Sequence, residues 1–181
     1  MHLSGLARLL AADPVAAGWE SAGLRRSAAG GQLVAPEGAV PPMAALLAGL
    51  DPDPDRGPLL VITATVRAAE DTATALTSLL NPSSVALFPA WETLPHERMS
   101  PSPDIVGQRL SVLRRLAHPD PGRAVADEPS VVVAPLRAVL QPIVSGLGDV
   151  SPVAIREGQE TSVHQLAVEL VAVGYERTDL V

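Results

Sequence analysis

Three short, continuous apolar runs constrain the fold of this chain more than any other feature of its sequence. They carry no charge and read LLVIT at residues 59–63, VALF at 85–88 and SVVVA at 130–134. Runs of this kind are typical of strands that are buried on both faces, as in a parallel sheet. Because helical patterns separate them, we predict an α/β fold: a parallel sheet with flanking helices and right-handed crossovers.

The spacing of apolar residues predicts where the helices lie. Asp104 is expected to cap one helix, and Gly174 is expected to end the last. Helices are predicted over residues 3–12, 43–50, 67–80, 104–117, 135–140 and 161–173. Weaker patterns predict additional strands at residues 32–35, 153–156 and 175–181.

The pattern of the chain changes after Gly148. We predict one domain over residues 1–148 and the start of a small second α+β domain over 149–181. The sequence stops within the last strand pattern, without a polar tail or a closing turn. We therefore expect it to be a piece of a longer protein.

Composition excludes several kinds of chemistry. All 13 basic residues are Arg and there is no Cys, so Schiff-base lysines, phosphate-binding P-loop lysines, cysteine nucleophiles and thiolate metal sites are impossible. A formal charge of −7 argues against a self-sufficient nucleic-acid binder, because phosphate contacts need clustered positive charge. No apolar run is long enough for a membrane span, and the lack of Cys suits a cytoplasmic protein.

The turn after the first apolar run is the place where nucleotide-binding α/β domains hold phosphate. Such a turn needs glycines for close backbone approach and a Lys for charge. Here it reads TATVRAAE over residues 63–70, with neither. Thr63, Thr65 and Arg67 therefore mark a degenerate turn, and we predict that it binds no nucleotide.

The segment WETLPHER, residues 91–98, follows the second apolar run. His96 and Glu97 suggest metal or acid–base chemistry, but the second His that a helical metal pair needs is missing. A proline-stiffened loop pinned by Trp91 is the simpler interpretation, and its functional alternative is a packing surface for other domains. Glu92, His96, Arg98 and Arg109 are the further candidates for that surface.

Three arginines, Arg109, Arg114 and Arg115, lie on the predicted helix 104–117. Positions 109 and 115 are roughly 120° apart around a helix axis, so the three do not form one stripe. A solvated helix face is the favoured interpretation, and a docking surface for an acidic partner is the alternative.

The sequence around Trp91 resembles the amino-terminal region of the bacterial transcription-repair coupling factor family. The resemblance rests on PAWETLPHE at 89–97, followed by SP at 100–101 and DIVGQRL at 104–110. It continues through SVVVAPLR at 130–137, LQP at 140–142, GQ at 158–159 and GYERTDLV at 174–181.

The resemblance implies a UvrB-like, RecA-like domain that has lost its ATPase motifs. It implies that this part docks UvrA and restrains the motor, with the UvrA-contact segment lying mostly beyond Val181. The full-length family is an ATP-dependent, helicase-like DNA translocase that couples stalled RNA polymerase to nucleotide excision repair. ATP, Mg²⁺, DNA and RNA polymerase would bind its other domains, so no cofactor is expected here.

A function of another class stays open from the residues alone. A small stand-alone enzyme on a Rossmann-like sheet would use the His96 loop at the carboxyl edge of the strands. It would need a phosphate-binding turn or an activated nucleophile, and the sequence offers neither pattern.

Overall fold

The computed structural model describes residues 3–14, 34–49, 57–93, 100–119 and 128–178. The helices in these ranges are α1 (Ser4–Ala11), α2 (Val40–Ala48), α3 (Val66–Leu79), α4 (Pro103–Ala117), α5 (Leu136–Leu140) and α6 (Val163–Ala172). The strands are β1 (Leu59–Thr63), β2 (Val85–Leu87) and β3 (Val131–Pro135). Single 3₁₀ turns occupy Glu37–Ala39, Pro82–Ser84 and Leu147–Asp149. The predicted α/β class is confirmed.

The three strands form one parallel sheet in the order β1-β3-β2. Val131 at the start of β3 is in register with Leu59 on one side and with Val85 on the other. The strand that comes last in the chain is therefore central, and the two earlier strands lie at the edges.

Helices cover the two faces of the sheet unequally. On one face, α2 and α3 bury an aliphatic core against the strands, formed by Ala44, Ala45, Ala48, Ala69, Ala73, Leu76, Leu79, Leu80, Val131 and Val133. On the other face, α4 covers a smaller core that contains Ala86, Phe88, Ala90, Val112, Val132, Ala134 and Ala138. Small side chains dominate both cores, so helices and sheet approach closely.

The prediction that β1 is buried on both faces is wrong for one of them. Leu60 is 51% exposed and Ile62 is 49% exposed. They share a face with Val132 and Ala134 of β3, their register partners, yet those two are buried. The reason is position in the sheet: β3 is central, whereas β1 is an edge strand.

The weaker strand predictions also fail where they can be compared. No strand forms at residues 34–35, 153–156 or 175–178, while residues 32–33 and 179–181 lie outside the described residues. A short apolar run becomes a strand only when a neighbouring strand completes its hydrogen bonds. Within residues 149–178, the described part of the predicted second domain, α6 is the one regular element longer than a single turn.

Of the two helix ends expected from single residues, the end of α6 at Gly174 is confirmed and the cap of α4 at Asp104 is wrong. Ser162 caps α6 by accepting a hydrogen bond from the Gln165 amide, and Gly174, at φ +98°, ends it. The amides of Gly174 and Tyr175 return to Val171 and Leu170 respectively, which is a Schellman motif. Asp104 does not cap α4, because the helix begins one residue earlier, at Pro103.

Within the described ranges, no helix is long and apolar enough to cross a membrane.

Candidate functional site at the carboxyl edge of the sheet

The turn between β1 and α3 satisfies its own polar groups. Thr65 is the N-cap residue of α3, and its hydroxyl accepts a hydrogen bond from the Ala68 amide at 3.1 Å. The Thr63 hydroxyl donates to the Thr65 carbonyl at 2.9 Å. Arg67 is almost fully exposed and lies 3.7 Å from the carboxylate of Asp71, one helical turn along. The predicted residues of the degenerate turn thus bond locally.

The loop after β2 begins inside the core. The Phe88 amide donates to the Val133 carbonyl at 2.8 Å, which continues the sheet pairing one residue beyond β2. Phe88 and Ala90 are buried, Trp91 is half-buried and Glu92 is exposed. The chain therefore passes from the core to the surface within a few residues.

The side chain of Arg109, on α4, packs among the residues of this loop. Its guanidinium carbon is 4.1 Å from the centroid of the Phe88 ring and 4.3 Å from that of Trp91. Its Nη1 donates to the Pro89 carbonyl at 2.6 Å. One side chain thus contacts three residues of the loop, by two cation–π contacts and a charge-assisted hydrogen bond.

The solvated-face interpretation of the arginine group is wrong for Arg109, which is 1% exposed. Arg109 follows Ile105 by four positions and precedes Val112 by three, so it lies on the apolar side of α4. That spacing is visible in the sequence and could have located it. Arg115 is also partly buried and donates to the Ser83 carbonyl, and Arg114 donates to the Val150 carbonyl at 3.2 Å.

The burial of Arg109 is energetically demanding. Desolvation lowers the pKa of its guanidinium below the ordinary value for arginine, although arginine remains protonated at physiological pH. Its Nε is buried and has no hydrogen-bond partner among the described residues. The two ring faces and the Pro89 carbonyl are therefore the described groups that compensate the buried charge.

Residues after β3 hold the same loop from the other side. The Gln141 side chain accepts from the Trp91 amide at 2.7 Å and donates to the Trp91 carbonyl at 3.3 Å. Arg137 donates to the Glu92 carbonyl at 3.4 Å. Sequence reasoning missed the role of Gln141, because nothing local to it indicates a partner 50 residues away.

The Glu92 carboxylate lies at the start of α4. Its Oε2 accepts a hydrogen bond from the Ser102 amide at 3.1 Å, and Ser102 is the N-cap residue of that helix. A carboxylate in this position satisfies an otherwise unbonded amide and is favoured by the helix dipole. Glu92 therefore ties the loop to the helix that supplies Arg109.

The structure brings Trp91, Glu92 and Arg109 together, but Arg109 is buried and lies beneath the surface rather than on it. His96 and Arg98, the other two candidates, lie outside the described residues. Among the residues that are described, no group of three or more His, Asp or Glu side chains could hold a metal ion. The arrangement fixes the shape of a surface loop by contacts on three sides.

Comparisons with known proteins converge on one family. No protein-family model matches the chain. Transcription-repair-coupling factors of Mycobacterium bovis and Mycobacterium tuberculosis are each 46% identical to it over 126 residues, which is 70% of this chain and 10% of each relative. The Bacillus subtilis protein of the same name is 36% identical over 127 residues, or 68% of this chain and 10% of the relative.

The matched segment thus spans about a tenth of the length of these curated relatives. The family that they share is the one that the motifs around Trp91 resemble. The chain belongs to the transcription-repair coupling factor family.

Proposed function

We propose that this chain is a non-catalytic docking module of a transcription-repair coupling factor. In the whole protein it recruits UvrA to a stalled RNA polymerase and restrains the motor until polymerase is engaged. The observation that carries the proposal is the loop 88–92, in which Arg109, Gln141 and Arg137 engage rings and backbone carbonyls. Those bonds stabilise a shape, which is what a docking surface needs.

The proposal divides the chain into a UvrB-like unit over residues 1–148 and the start of a second unit over 149–181. The first unit contacts the motor domains through Trp91 and Glu92, where the loop reaches the surface, and the second leads to the UvrA-contact segment. DNA and RNA polymerase are reached through other domains of the family, and the protein acts in the cytoplasm.

No nucleotide is expected to bind the first unit. The turn 63–67 has no glycine. The Thr65 hydroxyl already accepts a hydrogen bond from the Ala68 amide, and the Arg67 side chain lies 3.7 Å from the carboxylate of Asp71. ATP and Mg²⁺ belong to the motor domains. Titration with a fluorescent ATP analogue should give no saturation at micromolar concentrations, and saturable binding would contradict this part of the proposal.

A pull-down with purified UvrA tests recruitment. It compares this chain with one that continues along the family sequence for about one further small domain, at least ~50 residues. We expect the longer chain to retain UvrA and the shorter chain to retain much less. Equal failure of both chains to bind would overturn the assignment of UvrA recruitment to the second unit.

The stand-alone enzyme has no comparable support. Its essential residue, His96, lies outside the described residues, and the curated relatives carry the name of a coupling factor.

A further inference from the structure

The segment Gly146–Val150 lies against the carboxyl-terminal half of α4. Gly146 has a φ of +80°, which favours glycine, and a single 3₁₀ turn follows over Leu147–Asp149. The Leu147 amide donates to the Val144 carbonyl at 3.3 Å, and the Asp149 amide donates to the Gly146 carbonyl at 2.9 Å. The segment therefore has a defined internal conformation, and we call it the elbow.

Gly148 brings the elbow into backbone contact with the helix. A Cβ atom at this position would lie 3.0 Å from the Leu113 carbonyl oxygen and 3.2 Å from the Ala117 Cβ. The carbonyl belongs to a helix and cannot move aside as a flexible side chain would. A side chain at this position therefore fits only if the helix backbone or the elbow gives way by a few tenths of an ångström.

Arg114 of α4 and His118 at its carboxyl end bond to the two residues that follow Gly148. Arg114 Nη1 donates to the Val150 carbonyl at 3.2 Å. His118 Nε2 lies 2.7 Å from Asp149 Oδ1, with both side chains about half exposed. Exposed polar pairs are individually weak, so close packing at Gly148 is the main contact and the side chains reinforce it.

We propose that the elbow is a conformational device that fixes the direction in which the chain leaves the first unit. Boundaries between domains usually fall in exposed linkers that few contacts cross. Here Gly148 instead packs against α4. When the elbow is packed against α4, the segment beyond Val150 leaves the first unit in one fixed direction relative to that helix. When it detaches, that segment can reorient while the sheet stays folded. The proposal does not depend on which partner the second unit binds.

Hydrogen exchange on the 181-residue chain tests the docking. The Leu147 and Asp149 amides should exchange slowly in the parent, and Gly148→Ala should speed their exchange on the order of tenfold or more. Gly107→Ala is the matched control. Gly107 lies in α4, the helix that the elbow contacts, and a Cβ atom there would have nothing within 4 Å. This control should leave the elbow amides unchanged. Slow exchange in Gly148→Ala, or fast exchange in the parent, would overturn the proposal.

Protection of the β3 amides in the same experiment shows whether a variant still folds. If Gly148→Ala loses that protection, the double variant Arg114→Ala with Asp149→Asn replaces it, since both side chains are on the surface. It should raise elbow exchange by a smaller factor and leave β3 protected. Unchanged elbow exchange in this variant would also count against the proposal.

Orientation is measured by distance. Because the chain has no Cys, spin labels can be attached at Thr74→Cys on α3 and Ser151→Cys after the elbow. We expect one narrow distance distribution, which Gly148→Ala broadens and Gly107→Ala preserves. A broad distribution in the parent would show that the elbow does not fix the exit direction.

Discussion

The guanidinium of Arg109 lies 4.1 Å from the centroid of the Phe88 ring, so a fully buried cation faces the residue that directly follows the edge strand β2. This relationship joins α4 to the end of β2 and decides where the chain leaves the sheet. It also makes the loop sensitive to the chemistry of one side chain.

Replacing Arg109 should reveal how much of its role is packing and how much is charge. Arg109→Ala loses the ring contacts and leaves a cavity, so we expect the free energy of unfolding to fall by about 2–4 kcal/mol. Arg109→Met fills much of the space and removes the desolvation cost of a buried charge, so it should lose less. Urea unfolding measures both. Equal losses would mean that packing contributes little.

Gln141 should hold Trp91 in place through its two hydrogen bonds to that residue's backbone. Gln141→Leu removes both, and we expect a loss of about 1–3 kcal/mol. The emission of Trp91, measured with Trp19→Phe in the background because the chain has two tryptophans, should shift to the red as the ring becomes solvated. Gln165→Leu on exposed α6 is the control and should shift neither quantity. An unshifted spectrum in Gln141→Leu would contradict the assignment.

Thr65 should contribute to stability as a helix cap rather than as part of a phosphate site. Thr65→Ala deletes the acceptor of the Ala68 amide and should lower the free energy of unfolding by about 1 kcal/mol. Thr74→Ala, an exposed change within the same helix, should be neutral or slightly stabilising. Thermal unfolding by circular dichroism distinguishes the two, and matching midpoints would rule out the cap.

Because β3 is buried and one face of β1 is half exposed, a hydroxyl group introduced into β3 should destabilise the fold more than one introduced on that face of β1. Val133→Thr places a polar group in the fully buried centre of β3 and should cost about 1–3 kcal/mol. Ile62→Thr on the half-exposed face of β1 should cost less than about 1 kcal/mol. Chemical denaturation compares them. A large loss at Ile62 would mean that this face is covered in solution.

The local fold could be predicted from the sequence because its signals are local. The runs at 59–63, 85–88 and 130–134 give strands, and the spacing of apolar residues places the helix ends within three residues of those observed. The strand order could not be predicted, since three similar parallel strands carry no mark of which is central. The false strands at 153–156 and 175–178 have suitable composition but no partner strand.

The candidate site could be predicted only in outline. The motif indicates Trp91 and Glu92, whereas the charge of Arg109 favours a solvated position and only its place on the helix indicates that it is buried. The bonds from Gln141 and Arg137 join segments about fifty residues apart, and such pairs leave no trace in one sequence. The close approach at Gly148 is of the same kind, because it depends on where α4 runs.

The central position of β3 has a consequence for the order in which the chain can fold. Neither edge strand can complete its pairing until residues 131–135 have been synthesised and have entered between them, because β1 and β2 do not pair with each other. Two long loops must therefore close around the last strand, and such non-local closure slows folding. On the ribosome, the sheet formed by these three described strands could assemble only after the second half of the chain had been synthesised.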